Sequence, residues 1–170
     1  MALGEYHFQE DKQAPPSRAY LKLWEALTRI GRRPVPGERC LDLGASPGGW
    51  SWALAQLGAK VISVDKAPLD ASVMARAEIA FRKQSAFSLD PTKQERVDWL
   101  FSDVVCYPAR LFGLVTRWLE ADAARHFVCT IKFQRQTDFE TLDRFLAIPG
   151  SRAVHLFHNK HEVTWIRVRC

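Results

Sequence analysis

Apolar and polar positions along this chain follow two different periods. Tyr20, Leu23, Trp24, Leu27 and Ile30 recur every three or four residues, as on one buried face of a helix. Gly31 follows as a stop, and Ser17 is the expected N-cap. Pro15-Pro16 forbids a helix running further back, so residues 1–16 are predicted to form an irregular N-terminal arm and residues 17–31 the first helix. Short apolar runs then alternate with helical stretches. Strands are predicted at Cys40 to Leu43, Lys60 to Asp65, Glu78 to Arg82, Val97 to Ser102 and Phe127 to Phe133. Helices are predicted at Trp50 to Leu57 before Gly58, at Leu111 to Leu119, and at Thr137 to Leu146 before Pro149-Gly150. Ala153 to Phe157 and Glu162 to Val168 read as two strands of an antiparallel hairpin around His158 to His161.

Strands alternating with helices imply an α/β fold, a mostly parallel doubly wound sheet whose ligands bind beyond the carboxyl ends of its strands. Asp42, Asp65, Asp103 and Lys132 all fall at that edge. If the last strand runs antiparallel to the rest, Glu162 at its beginning joins them.

The run Asp42-Leu43-Gly44-Ala45-Ser46-Pro47-Gly48-Gly49-Trp50 sits where the first strand turns into a helix. Its glycines let backbone approach a ligand, and the helix N-terminus favours polar or anionic groups. A dinucleotide fingerprint requires glycine where Ser46 stands, and a phosphate-binding P-loop requires Gly-Lys-Ser/Thr where Gly49-Trp50-Ser51 stands, so both fail. Asp65 closes the second strand about twenty residues on, where dinucleotide folds place an acid on ribose hydroxyls.

The chain has 170 residues, enough for one domain with a real core, and 47% hydrophobic with 25% charged residues is the balance of a soluble globular protein. No apolar run approaches a membrane span, and residues 1–16 are too polar and acidic for a signal peptide. Cys40, Cys106, Cys129 and Cys170 form no C-x-x-C pair, which predicts a reducing, cytoplasmic compartment and no structural zinc. The net charge of +5 favours a polyanionic partner without specifying one. His155, His158 and His161 lie close together but lack a ligand set with metal spacing, so they are read as hairpin histidines and no metal site is expected.

The glycine-turn string, with proline before the glycine pair and tryptophan after it, resembles motif I of the FtsJ-like RNA ribose 2'-O-methyltransferases. Ser17-Arg18-Ala19-Tyr20-Leu21-Lys22-Leu23 resembles the segment before that motif. Ser102-Asp103, Cys129-Thr130-Ile131-Lys132 and His161-Glu162-Val163-Thr164 resemble later segments of the family. The likeness runs from about Pro16 to Arg169, and within the family it is nearest to the catalytic domain of the large-subunit ribosomal RNA cytidine methyltransferases. It implies a Rossmann-like methyltransferase fold, S-adenosylmethionine (SAM) as cofactor, and Lys22, Asp103, Lys132 and Glu162 as a catalytic Lys-Asp-Lys-Glu tetrad. It also implies cofactor contacts from Gly44, Ser46, Pro47, Gly48, Gly49, Trp50, Asp65, Ser85 and Asp103. The family's acid beside the adenine is missing: Gln84-Ser85 stands there, with Asp90 as a later alternative.

A ribose 2'-hydroxyl is a poor nucleophile and must lose its proton as it attacks. A lysine serves as base only when desolvation or a neighbouring cation lowers its pKa. Lys22 and a sulfonium would push Lys132 that way, while Asp103 and Glu162 would oppose it. The resemblance makes RNA the expected partner and ribosomal RNA the expected target. A cap-type mRNA 2'-O-methyltransferase and a non-catalytic RNA-binding protein on the same fold are the alternatives. In the cytidine-methylating type a separate RNA-binding region precedes the catalytic domain. None is expected within these residues, which leaves room for an accessory RNA-binding protein; no feature assigns an oligomeric state.

Overall fold

The structure is a computed structural model that describes residues 8–169. Residues 1–7 of the predicted arm, and Cys170, lie outside the described residues. The elements in chain order are α1 (Tyr20–Ile30), β1 (Arg39–Leu43), α2 (Gly49–Gln56), β2 (Lys60–Asp65), α3 (Ala71–Met74), β3 (Ile79–Lys83), β4 (Val97–Ser102), α4 (Pro108–Glu120), β5 (Ala124–Lys132), α5 (Phe139–Leu146), β6 (Ser151–Val154) and β7 (Glu162–Arg167).

The strands form one sheet in the order β3-β2-β1-β4-β5-β7-β6. β3, β2, β1, β4 and β5 run parallel, and β7 is antiparallel to both β5 and β6. Alternate residues of the central strands feed two cores. Cys40, Trp99, Phe101 and Val128 pack beneath α1 and α2, while Leu41, Leu100, Phe127 and Cys129 pack beneath α4 and α5. The chain lays β2 and β3 on one side of β1, then crosses to place β4 on the other. That reversal opens a crevice beyond the carboxyl ends of β1 and β4.

Several predicted boundaries move, each for a local reason. Ser17 is not the N-cap of α1: Ala19 holds that position with no side-chain cap, and the Ser17 hydroxyl accepts from the Ala19 N–H two residues on. At the other end Gly31 does cap the helix, in a left-handed conformation that lets its N–H reach the carbonyls of Leu27 and Thr28. α4 starts at Pro108, whose missing N–H costs nothing in a first turn. β6 stops at Val154 rather than Phe157, because Leu156 and Phe157 turn their N–H groups to the side chains of Asn159 and Glu25. Glu162 begins β7 opposite Lys132, the last residue of β5, so the antiparallel strand delivers it to the carboxyl edge.

Candidate active site

Motif I is knitted to its surroundings mainly by backbone. The N–H groups of Gly44 and Ala45 donate to the Val64 carbonyl, the Ser46 N–H donates to Asp65, and the Asp70 N–H donates to the Pro47 carbonyl. A side chain at Gly44 would put its Cβ 2.8 Å from the Val104 Cα, so only glycine lets the β1 and β4 exits approach so closely. A Cβ at Gly48 would meet Val73, and one at Gly49 would meet the Ser17 hydroxyl. Those two glycines therefore admit α3 and the start of α1. The Trp50 indole is buried and donates to the Ala19 carbonyl at 2.8 Å, so this side chain ties the start of α2 to the start of α1.

A cleft of about 190 Å³ lies beside this loop, lined by Gly44, Asp65, Ser85, Phe87, Val104 and Arg110, among others. The two oxygens of Asp65 accept from the N–H groups of Ser46 and Ala67. This fixes the carboxylate at the end of β2 while leaving each oxygen further acceptor capacity. Ser85 caps a 3-10 turn at Ala86–Ser88, and the guanidinium of Arg110 lies 3.9 Å over the Phe87 ring. Asp90 is absent from the lining and instead accepts from the N–H and hydroxyl of Thr92. Phe87, Val104 and Arg110 carried no signal in the sequence; the folding of the Ala86–Ser88 turn and the β4–α4 connection brings them to the cleft.

The four tetrad residues meet at the same edge. The Lys22 amine lies 2.6 Å from Glu162 and 3.1 Å from Asp103. The Lys132 amine donates to the Asp103 carbonyl at 2.6 Å and lies 3.3 Å from the Asp103 carboxylate. Asp103 thus bridges two lysines. Glu162, although opposite Lys132 in the strand register, forms its ion pair with Lys22. Lys22 is 8% exposed. Burial alone would lower its pKa, but Asp103 and Glu162 outweigh that and hold it above the ordinary lysine value, so it stays cationic.

Sequence reasoning also missed two supports. Glu25, 1% exposed and one turn along α1 from Lys22, accepts from the Phe157 N–H at 2.9 Å. Asn159 accepts from the Leu156 N–H at 2.7 Å and donates to Glu162 at 3.1 Å. Of the histidines in this hairpin, His161 contacts Thr137 and His155 contacts the Lys160 carbonyl. Among the described residues no group of three or more histidine, cysteine or acidic side chains is placed to hold a metal. Among them, too, no helix is long and apolar enough to cross a membrane.

A mostly parallel sheet with a switch-point crevice, an acid at the end of β2 and a glycine turn after β1 defines a Rossmann-like architecture of the kind methyltransferases use. The FtsJ-like methyltransferase family model matches residues 15–138, and the chain belongs to that family. It is 37% identical over 157 residues to the ribosomal RNA large subunit methyltransferase M of Halorhodospira halophila, covering 88% of this chain and 46% of that protein. It is 34% identical over 165 residues to the enzyme of the same name from an Azoarcus species, covering 88% of this chain and 45% of that one. The chain thus spans about half the length of these curated relatives. Among solved structures, a ribosomal RNA methyltransferase of Plasmodium falciparum described as putative superposes with a TM-score of 0.67 at 16% identity, over 89% of this chain and 96% of that one. A putative hemolysin of Lactococcus lactis gives 0.70 at 18%, over 91% and 88%. At those identities the likeness is one of fold.

Proposed function

We propose that this chain transfers a methyl group from SAM to a ribose 2'-hydroxyl of ribosomal RNA, in the cytoplasm. The observation that carries the reading is the convergence of Lys22, Asp103, Lys132 and Glu162 beside the motif I loop. The relatives' names supply the RNA class.

The lining of the cleft supports placing the adenosine of SAM there. Asp65 offers carboxylate oxygens to ribose hydroxyls, Phe87 and Val104 offer apolar walls to a base, and Ser85 replaces the acid that the family resemblance led one to expect. When bound, SAM supplies a methyl group on a positively charged sulfur. The remaining work falls to the chain's own side chains. Lys22, held cationic by its carboxylates, supports the site and is unsuited to accept a proton. Lys132 shares only Asp103 with it, so its amine is the group that orients the 2'-hydroxyl and takes or holds its proton. Asp103 positions both amines, and Glu162 anchors Lys22.

Incubation with methyl-labelled SAM and ribosomal RNA from cells lacking this protein tests the reading. Label at a ribose oxygen of large-subunit RNA is the expected result. Label on a base, or none, overturns it.

A further inference from the structure

The connection between β6 and β7 holds an aromatic ring out in water by means of a buried clamp. Phe157 is 63% exposed. A single exposed apolar side chain is ordinary on a protein surface. This one differs in how it is held. Its backbone N–H is bound by Glu25, which is itself almost wholly buried. The preceding Leu156 is fully buried in the core beneath α1 and α2. Asn159, 7% exposed, closes the turn by accepting from the Leu156 N–H and donating its own N–H to the Leu156 carbonyl. The same Asn159 amide grips Glu162 of the tetrad. The loop's inner side is therefore fixed at three points, and its outer side presents Phe157 beside the site.

Glu25 lies buried beneath the loop, and the loop's own exposed polar side chains, His155, Lys160 and His161, are cationic or neutral. Between His155 and His161 the chain carries Lys160 and three histidines and no acid, and Lys160 is exposed. The loop adjoins the β5–α5 connection through the Phe133 N–H to His161 carbonyl bond and the Thr137–His161 contact. That connection carries exposed Arg135 and reaches the β4–α4 connection through Gln134 and the Cys106 carbonyl.

A fixed aromatic face interleaved with cationic side chains, next to the residues proposed to act on a ribose, suits unpaired nucleic acid. In a duplex the base faces are already stacked, whereas in an unpaired segment they are free to lie on an aromatic ring. We infer that the β6–β7 loop is a preformed stacking platform for unpaired RNA, with a base next to the acceptor nucleotide lying on Phe157 and its phosphate near Lys160. This rests on the proposed RNA methyltransferase reading and narrows its substrate to unpaired segments.

The test is fluorescence anisotropy with an unstructured RNA oligonucleotide and a blunt RNA duplex of equal length, across a salt series. Phe157→Ala should weaken binding to the oligonucleotide on the order of tenfold or more, the usual effect of losing one base–aromatic stack. Phe157→Trp should restore it, and duplex binding should not change. Stacking carries no charge, so the log–log salt slope of Phe157→Ala should match wild type, whereas Lys160→Ala should make it shallower by about 0.7. Leu146→Ala, which trims an exposed apolar side chain at the end of α5, is the control and should bind as wild type does. Thermal unfolding and SAM affinity of Phe157→Ala should stay at wild-type values. Equal oligonucleotide binding by wild type and Phe157→Ala, or no binding by wild type, overturns the inference. Methyl labelling separates the two readings. Phe157-dependent binding without ribose labelling leaves the platform and removes the enzyme assignment, and ribose labelling with Phe157-independent binding does the reverse.

Discussion

Two carboxylates stand at the ends of neighbouring strands and meet opposite surroundings. Asp42 on β1 is 1% exposed and bound to the Ser51 hydroxyl at 2.6 Å, with the Ser63 hydroxyl 2.6 Å beyond. No cation pairs with it among the described residues. Burial, offset in part by the Ser51 hydrogen bond and reinforced by Asp103 and Asp65, raises its pKa to about 7. Asp103 follows β4 and sits between two lysine amines, its side chain one-fifth exposed at 20%. A buried acid with only hydroxyl partners drifts towards neutrality and serves the scaffold; an acid flanked by amines stays within an ion-pair network and can hold those amines in place. Strand position alone thus does not decide which acid joins the ion-pair network.

The contrast breaks most decisively at Lys132. If the amine on Asp103 handles the hydroxyl proton, Lys132→Met should lower single-turnover methyl transfer by about 10²–10⁴ at saturating SAM, with SAM affinity nearly unchanged. The methionine keeps much of the apolar stem, so the fold should survive. Near-normal transfer would leave the tetrad as a structural ion-pair network.

Asp42→Asn sharpens the other side. The folded-state pKa of about 7 lies above the unfolded value of roughly 3.9, so the folded state binds more protons between those limits. The stability that this carboxyl contributes is full at low pH and is lost as pH rises towards 7. His126 opposes it: burial first, then Arg32 and Arg125, lower its pKa to about 4, so its contribution is lost as pH falls. The difference between variant and wild type isolates Asp42. Urea unfolding should show wild type losing ground to Asp42→Asn from pH 5 to 7, by on the order of a few kcal/mol, and the gap levelling above 7. A pH-independent gap would mean that Asp42 is ionised throughout.

The smallest effect is expected at Trp50. Trp50→Phe removes the hydrogen bond to the Ala19 carbonyl, which should cost about 1 kcal/mol in denaturant unfolding. SAM affinity by calorimetry should not follow. A large loss of affinity with unchanged stability would assign Trp50 to the cofactor.

Sequence alone determined what depends on near neighbours. Short apolar runs set β2 and β4 at the predicted residues, Gly31 set the end of α1, and the glycine turn announced the motif I loop. The strand pattern already gathered Asp103, Lys132 and Glu162 at one edge, but Lys22 joined them only through the likeness to a family, because no local pattern links Lys22 with Asp103, 81 positions apart. Tertiary structure decided the rest. It gave Glu162 to Lys22, turned the Trp50 indole towards α1, and buried Glu25 beneath the β6–β7 loop and Asn159 within it. The reason is geometric: a side chain's partners at the carboxyl edge follow from strand order and from which helix lies over which strand. Those in turn depend on the packing of both cores together, which no single segment encodes.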